Sequence, residues 1–423
     1  MGRAGRASNP WGMTHDTPTA ALPEPYAPPS AFPETGRLIG IDLARGLAVL
    51  GMYSAHVGPD VTVGGPIGLL LETARGRSSA LFAVLAGFSL VIITGRPRPR
   101  TGRAGRQAVA RVVIRAVVLL PLGYALTALS TPVDVILSFY GLLLLTVLPL
   151  YRLRATTLAC IAAVGALVMP QFLYAIRLSI EASTWADTVI QADPLARITG
   201  TDGMTELLFT GEYPILTWAP FLIAGMALAR LDLTRPGMHS RLTLTGGALT
   251  LLGYGGSWLS LHLVPHALTT ITAATGGSSA ASAWWSDTVG NPQDTTPLAW
   301  LLVAAPHSRT TFSLLGNTGI ALVVVAACLT AADHTRLVHW TKPLSAVGMT
   351  ALTAYVTHIV ALWLLLDVWY VAAVEDETMS ALPVLSGFIA AAILLATAWT
   401  RRFRQGPMEH LLHTATRPAR YIR

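Results

Sequence analysis

The sequence predicts an all-α fold, a polytopic transmembrane helical bundle of about ten spans with both termini in the cytoplasm. Three observations support this fold class. Hydrophobic residues make up 52% of the 423 residues and charged residues 12%, with a mean hydropathy of +0.54. This composition is typical of membrane proteins, and a soluble domain of this length would not have it. The apolar residues fall into segments long enough to cross a bilayer, and the connections between these segments alternate in charge.

The apolar segments follow one another along most of the chain. They comprise residues 38–58, 77–95, 108–129, 133–151, 155–177, 213–231, 241–263, 309–331, 343–372 and 381–401. Residues 1–36 are rich in Pro and lack a continuous apolar stretch, which predicts a disordered cytoplasmic tail before a membrane domain at 37–403. Residues 404–423 form a basic cytoplasmic tail. The apolar piece 297–305 is too short to cross the membrane but long enough to re-enter it.

The connections predict the orientation of the bundle. Every second connection is basic, and the most basic one reads RPRPRTGRAGR at 96–106. The alternate connections are acidic and include Glu181, Asp294, Glu375 and Asp376. The positive-inside rule then gives an even number of spans in a multi-pass protein of the plasma (inner) membrane. The formal charge of +7 is spread over short connections, which excludes a nucleic-acid partner and leaves the lipid bilayer.

Three polar residues share the first apolar segment. At about 100° per residue, Asp42, Arg45 and His56 fall near one helix face, with Asp42 and His56 about 21 Å apart along the axis. We therefore expect Asp42 and Arg45 to act near one membrane surface and His56 near the other. Arg45 either forms an ion pair with Asp42 or binds a phosphate. His56 is either a general base or a hydrogen-bonded interfacial histidine.

Two later segments contain polar residues at membrane depth. His358 lies near the middle of its segment, where an imidazole requires a polar partner. Asn317 lies nearer the outer side of its segment. Both residues are candidates for binding a substrate.

Residues at the outer side form a second group of candidates. Tyr213 begins the segment 213–231, and Glu212, immediately before it, lies at a depth that would let it orient His56. His307 and Arg309 either anchor the following helix at the interface, which we favour, or face an acceptor. Two outer connections, 178–212 and 264–308, are long. The second contains three tryptophans that either stack on a sugar or lie at the membrane interface, of which the interface is favoured.

The basic connection 96–106 also has two interpretations. It specifies topology, and its guanidinium groups suit the phosphates of a coenzyme A arriving from the cytosol. The candidate phosphate ligands are Arg96, Arg98, Arg100 and Arg103. The two cysteines lie in apolar stretches without metal-ligand spacing, so the sequence predicts no metal site.

Several motifs resemble known membrane proteins. Asp42, Arg45, Gly46 and the later His56 resemble the first-helix signature of transmembrane acyltransferases. The chain as a whole resembles the bacterial inner-membrane YeiB-like family, which is related to the heparan-alpha-glucosaminide N-acetyltransferases. The matching blocks are GRSSALFAVLAGFSL at 76–90, VDVILSFYGLLLL at 133–145, GEYPILTWAPFLIAGMALARLDL at 211–233, GNTGIALVVVAACL at 316–329, ALTAYVTHIVAL at 351–362 and FRQGPMEHLL at 403–412.

The resemblance implies an acyltransferase that moves an acetyl or similar group from cytosolic acyl-CoA to a small-molecule or glycan acceptor at the outer face. His56 matches the acyltransferase histidine, whereas residues 59–76 contain none at the place where the nearer relatives use one. Either His56 assumes that role, or this branch has changed its activity. A homodimer is expected by family analogy. The competing hypothesis is a small-molecule transporter that uses His358 and Asn317.

Overall fold

The structure is a computed structural model that describes residues 1–2, 35–59, 64–277, 279–293, 295–366, 381–403 and 405–422. The chain divides into two units, Met1–Thr35 and Gly36–Arg423. The first unit lies almost wholly outside the described residues, as do the predicted disordered tail and the acidic residues Asp294, Glu375 and Asp376. The second unit contains the helical bundle. Among the described residues the regular structure is entirely helical, as the composition predicted.

The α-helices are numbered here in chain order. They are α1 Thr35–Val57, α2 Gly65–Ala74, α3 Arg77–Thr94, α4 Gly102–Thr127, α5 Ile136–Val147, α6 Ala155–Glu181, α7 Trp185–Ala192, α8 Pro194–Thr199, α9 Gly203–Thr205, α10 Ile215–Arg230, α11 Met238–Thr250, α12 Gly256–Leu263, α13 Ala267–Ala274, α14 Thr311–Asp333, α15 Thr335–Met349, α16 Ala351–Leu364, α17 Ala381–Thr400 and α18 Pro407–Ala415. Among the described residues, short 3₁₀ helices occur at Leu148–Arg152, Ala280–Ser282, Asp287–Val289, Leu298–Leu302 and Arg417–Tyr421, and π-helical turns at Glu206–Thr210 and Leu251–Gly255.

Each of the ten predicted segments coincides with one or more of these helices, but ten crossings are not confirmed. Five described helices are long and apolar enough to cross a membrane: Gly65–Thr94, Gly102–Thr127, Ala155–Glu181, Thr311–Asp333 and Ala381–Thr400. Two bent helix pairs raise the number among the described residues to seven if each pair crosses once. The chain is therefore a multi-pass membrane protein.

The segment predicted as one helix over 343–372 is broken. Helices α15 and α16 meet at Thr350 with a bend of 82°. The break exposes backbone N–H groups at the start of α16, and the carboxylate of Glu409 accepts hydrogen bonds from the N–H of Leu352 at 2.7 Å and of Thr353 at 3.2 Å. A carboxylate at a helix N-terminus also interacts favourably with the helix dipole. A distant side chain thus stabilises a break that local patterning did not indicate. Residues 367–372 lie outside the described residues.

Glycines allow the central helices to approach closely. A Cβ on Gly87 of α3 would overlap the carbonyl oxygen of Leu222 in α10, and a Cβ on Gly225 would overlap that of Val84. Small residues at crossing points are the usual means by which membrane helices gain van der Waals contact without a hydrophobic driving force. Both α3 and α10 contribute many buried side chains to the main hydrophobic core.

The arginine-rich connections meet at one end of the bundle, here called the basic end. Arg230 donates to the carbonyl of Gly95 at 2.5 Å and to that of Pro97 at 3.2 Å. Gln107 donates to the carbonyl of Arg420 at 2.9 Å, which ties the C-terminal segment to the same surface. Segments that the charge pattern assigned to one side of the membrane therefore lie together.

The described residues of 264–308, which leave out 278 and 294, cover the opposite end and are here called the distal cap. It has a small hydrophobic core of its own, centred on Ile271, Val289 and Trp300. Segment 297–305, predicted to be long enough to re-enter the membrane, contributes Trp300 and Val303 to this core. Arg77 of α3 anchors the cap by donating to the carbonyl of Trp285 at 2.5 Å.

Candidate active site

Two histidines from distant parts of the chain meet inside the bundle. Nδ1 of His56, near the end of α1, lies 2.9 Å from Nε2 of His358 in α16, and the two rings are stacked with their planes 12° apart. One of these nitrogens must carry the proton of the hydrogen bond. His358 is buried and His56 is partly buried. The pair supplies the polar partner that the depth of His358 required.

Tyrosine rings pack around the histidine pair and fix its position. The Tyr53 ring lies 4.6 Å from the His358 ring, and its hydroxyl donates to the carbonyl of Ala354 at 2.7 Å. The ring of Tyr355 meets His358 edge-on at 5.1 Å, and its hydroxyl accepts from the N–H of Ile136 at 3.2 Å. Both hydroxyls are bonded to backbone, so the rings have fixed orientations against His358.

A charged cluster lies at the distal end and comprises Glu212, His307 and Arg309, here called the Glu212 cluster. Oε1 of Glu212 lies 2.7 Å from Nδ1 of His307, and Oε2 accepts from Arg309 at 2.7 Å. Glu212 was predicted to orient His56, but its carboxylate is engaged by His307 and Arg309, and the hydrogen-bond partner of His56 is His358.

The backbone of the Glu212 cluster is strained. His307 and Arg309 both have left-handed φ values, 58° and 62°. Such conformations cost free energy in non-glycine residues and persist only where surrounding contacts hold them. Gly76, at φ 64°, approaches this loop so closely that a Cβ would overlap Pro306.

Two adjoining cavities with shared lining residues lie at the basic end, and we call them together the basic cavity. Its inner part measures about 350 Å³ and contacts Arg45, Ser89 and Arg115. Its outer part, about 790 Å³, shares Arg115 with the inner part and is lined by further arginines: Arg100, Arg111, Arg417 and Arg420. Guanidinium groups that line a cavity in this way are suited to binding an anionic ligand.

Arg45 is held in place at the inner part of the basic cavity. Its guanidinium donates to Oδ1 of Asp42 at 2.7 Å and to Oγ of Ser89 at 2.7 Å. The ion pair expected from the i,i+3 spacing is present. By contrast, Arg115 makes no hydrogen bond or ion pair with any described residue, and its Nε is buried without a partner.

Aromatic rings separate the basic cavity from the histidine pair. Phe82 and Tyr140 line the inner part of the cavity and stack on each other at 5.4 Å. The Phe82 ring also lies 6.3 Å from the ring of Tyr355, which contacts His358. The ring of Tyr355 therefore lies between Phe82 in the cavity wall and His358.

The four arginines predicted as phosphate ligands occupy different environments. Arg100 lines the outer part of the basic cavity. Arg96 donates to the carbonyl of Ala229 at 2.7 Å and lies over the Phe88 ring, which indicates a structural role. Arg98 is exposed, and Arg103 donates to the carbonyl of Ile422 at 3.3 Å.

Two other predicted substrate residues are enclosed by neighbours. Asn317 accepts from the Tyr254 hydroxyl at 2.7 Å and donates to Ser313 at 3.2 Å. Because Arg77 in turn donates to Tyr254 at 3.0 Å, this network connects α3, α14 and the turn after α11. Tyr213 is buried, and its ring meets those of Trp218 and His307 edge-on.

Sequence reasoning missed several residues of the basic cavity and the histidine surroundings. Arg111 and Arg115 stand four apart on α4, a spacing that places both on one helix face. Tyr355 stands three residues before His358 on α16, a spacing that places both on one helix face. Ser89 and Tyr53 carry no comparable signal, because their roles depend on contacts between distant helices. Among the described residues no group of three or more His, Cys, Asp or Glu side chains could hold a metal ion.

Comparison with known proteins yields two family matches and no significant match to a curated protein. Residues 37–262 match the model described as heparan-alpha-glucosaminide N-acetyltransferase, catalytic. Residues 283–419 match the model described as protein of unknown function, DUF418. The histidine pair joins the two matched regions, and the kinship indicated by the motifs is confirmed. Because the first match covers more than half of the chain, the chain belongs to the heparan-alpha-glucosaminide N-acetyltransferase catalytic family, a family of membrane acetyltransferases.

Proposed function

We propose that this protein transfers an acetyl group from cytosolic acetyl-CoA to an acceptor at the distal, extracytoplasmic end of the bundle, in the plasma membrane. The basic end would then face the cytoplasm, consistent with the distribution of arginine among the connections. The observation that carries the proposal is the proximity of two features. A cavity lined by arginines ends at the Phe82 ring, which lies 6.3 Å from the ring of Tyr355, and Tyr355 contacts His358.

The donor would bind in the basic cavity. Arg115 has the free guanidinium group that a phosphate requires, and Arg100, Arg111, Arg417 and Arg420 surround the wider outer part. Arg45, held by Asp42 and Ser89, lies deeper. The thioester would reach the histidine pair past Phe82 and Tyr355, which requires these rings to move apart.

His56 would act as the general base. With Nδ1 engaged by His358, its Nε2 is left to accept a proton from an acceptor hydroxyl or amine. The acceptor oxygen or nitrogen forms a bond to the thioester carbonyl carbon, the C–S bond breaks, and the departing thiolate of coenzyme A takes up a proton. His358 would be a positioning residue, since it holds the His56 ring in one orientation.

Acetyl-CoA binding tests the donor site. Purified protein in detergent should bind acetyl-CoA, and Arg115→Gln should weaken binding about tenfold, which corresponds to about 1.4 kcal/mol for a lost guanidinium–phosphate contact. Arg154→Gln is the matched control, because this arginine is exposed at the same end and outside the basic cavity. Equal weakening by both substitutions would show a general charge effect, and absence of binding to the unmodified protein would overturn the proposal.

A further inference from the structure

A second cavity lies at the distal end, between α6 and the distal cap, and we call it the distal pocket. Its volume is about 310 Å³, near the lower limit for small-molecule sites. Polar atoms dominate its lining, from Tyr174, Arg177, Glu181 and Thr296, while the buried Trp300 offers an apolar surface. These features suit a small hydroxylated molecule and not a lipid chain.

Arg177 distinguishes this pocket from an ordinary polar crevice. Its side chain is only partly exposed and makes neither a hydrogen bond nor an ion pair with any described residue. The neighbouring groups already have partners: Tyr174 donates to the carbonyl of Thr296 at 3.1 Å, and Arg309 donates to Glu212 at 2.7 Å. Arg177 is thus left with its five donors free, in a fork that matches an oxyanion.

We propose that the distal pocket binds the acceptor, a small hydroxylated molecule bearing a carboxylate, with Arg177 as the ligand of that carboxylate. Only the identification of the ligand as the acceptor rests on the proposed acetyl transfer. Binding of the carboxylate by Arg177 does not depend on it. Glu181, one turn further along α6, faces the same pocket and opposes an anion there. The Thr296 hydroxyl donates to Oε1 of Glu181 at 3.4 Å, and its oxygen can still accept a hydrogen bond from a hydroxyl group of the ligand.

The distal pocket adjoins the Glu212 cluster and lies at the same end of the bundle as His56. Arg309 lines the pocket and binds one oxygen of Glu212, whose other oxygen contacts His307. His56 lies in the last turn of α1, and Gly51 of the same helix packs against Ser78 at the distal start of α3. An acceptor anchored by Arg177 would therefore lie on the same side of the bundle as the catalytic nitrogen, opposite the basic cavity.

Calorimetric titration of the purified full-length protein with D-galacturonate and D-galactose tests the proposal, because the two sugars differ in the carboxylate. Galacturonate should bind at least tenfold more tightly than galactose. Arg177→Gln should abolish this preference, and Glu181→Gln should strengthen galacturonate binding several-fold by removing the opposing charge. Arg197→Gln, which removes an exposed arginine outside the pocket, should leave both affinities unchanged.

Equal affinity for the two sugars, absence of binding, or an unchanged preference in Arg177→Gln would each overturn the proposal. The titration uses no acetyl-CoA, so its outcome is independent of catalysis. If galacturonate binds through Arg177 but acetyl-CoA is neither bound nor consumed, the assignment of the distal pocket as a carboxylate site is supported and the proposed acetyl transfer is wrong. If acetyl transfer occurs and Arg177→Gln leaves the KM for every acceptor unchanged, the pocket assignment fails alone.

Discussion

Nδ1 of His56 lies 2.9 Å from Nε2 of His358, although 302 positions separate the two residues in the chain. The contact joins the region that matches the acetyltransferase catalytic family to the region that matches DUF418. The two regions therefore contribute to one site, and the second is required to complete the surroundings of the histidine on α1.

Substitution of His358 tests its positioning role. We expect His358→Ala to lower kcat for acetyl transfer by about 100-fold, because His56 loses the group that holds its ring. The KM for acetyl-CoA should not change, since His358 lies outside the basic cavity. His358→Gln should recover part of the activity through a side chain that still forms a hydrogen bond. Equal losses in both variants would argue against positioning by a hydrogen bond.

The ion pair at the inner part of the basic cavity should contribute to stability as a unit. Arg45→Gln leaves the mostly buried carboxylate of Asp42 without its partner, and we expect a loss of about 3 kcal/mol in the free energy of unfolding. The double variant Asp42→Asn with Arg45→Gln should lose less than the single one. Tryptophan fluorescence during thermal unfolding in detergent measures both. A double variant that is less stable than Arg45→Gln would contradict this account.

The contact between α1 and α15 should not tolerate a side chain at Gly348. A Cβ there would overlap the carbonyl oxygen of Asp42, so Gly348→Ala should lower the melting temperature by several degrees and weaken acetyl-CoA binding through Arg45. Gly247→Ala is the matched control, because a Cβ on this helical glycine meets open space. That control should be neutral or stabilising. Similar melting temperatures for the two variants would show that the helices can shift apart.

Glu212 should hold the strained loop that carries His307 and Arg309. Glu212→Gln removes the charge that both side chains contact, so hydrogen exchange of residues 306–310 should accelerate about tenfold or more, corresponding to about 1.4 kcal/mol. Asp187→Asn, at an exposed position on α7, serves as the control. Unchanged exchange in Glu212→Gln would mean that the surrounding backbone contacts alone maintain the left-handed residues.

Composition and apolar periodicity were sufficient to predict the membrane fold, because burial in lipid requires long apolar helices whatever their arrangement. Spacing along α1 was likewise sufficient to predict the pair of Asp42 and Arg45. The break at Thr350 could not be predicted, since it depends on Glu409 reaching the start of α16 from the C-terminal helix.

The composition of the candidate site was only partly predictable for the same reason. The sequence identified His56 and His358 separately, and their contact depends on the packing of α1 against α16. It associated Glu212 with His56, whereas the structure places Glu212 with His307 and Arg309. The density of arginines led the sequence analysis to predict a phosphate site at 96–106. In the structure, a guanidinium group without a partner in the inner part of the basic cavity belongs to Arg115 on α4.

The central claim is that His56 removes the acceptor proton during acetyl transfer. Its most direct test is acetyl transfer from radiolabelled acetyl-CoA by purified wild-type protein, His56→Ala and His262→Ala, with acetyl-CoA binding measured on the same samples. His262 is an exposed histidine on α12, bonded to the carbonyl of Trp258. We predict that His56→Ala lowers transfer by at least about 100-fold with donor binding intact, and that His262→Ala has no effect. Transfer at the wild-type rate in His56→Ala would contradict the account.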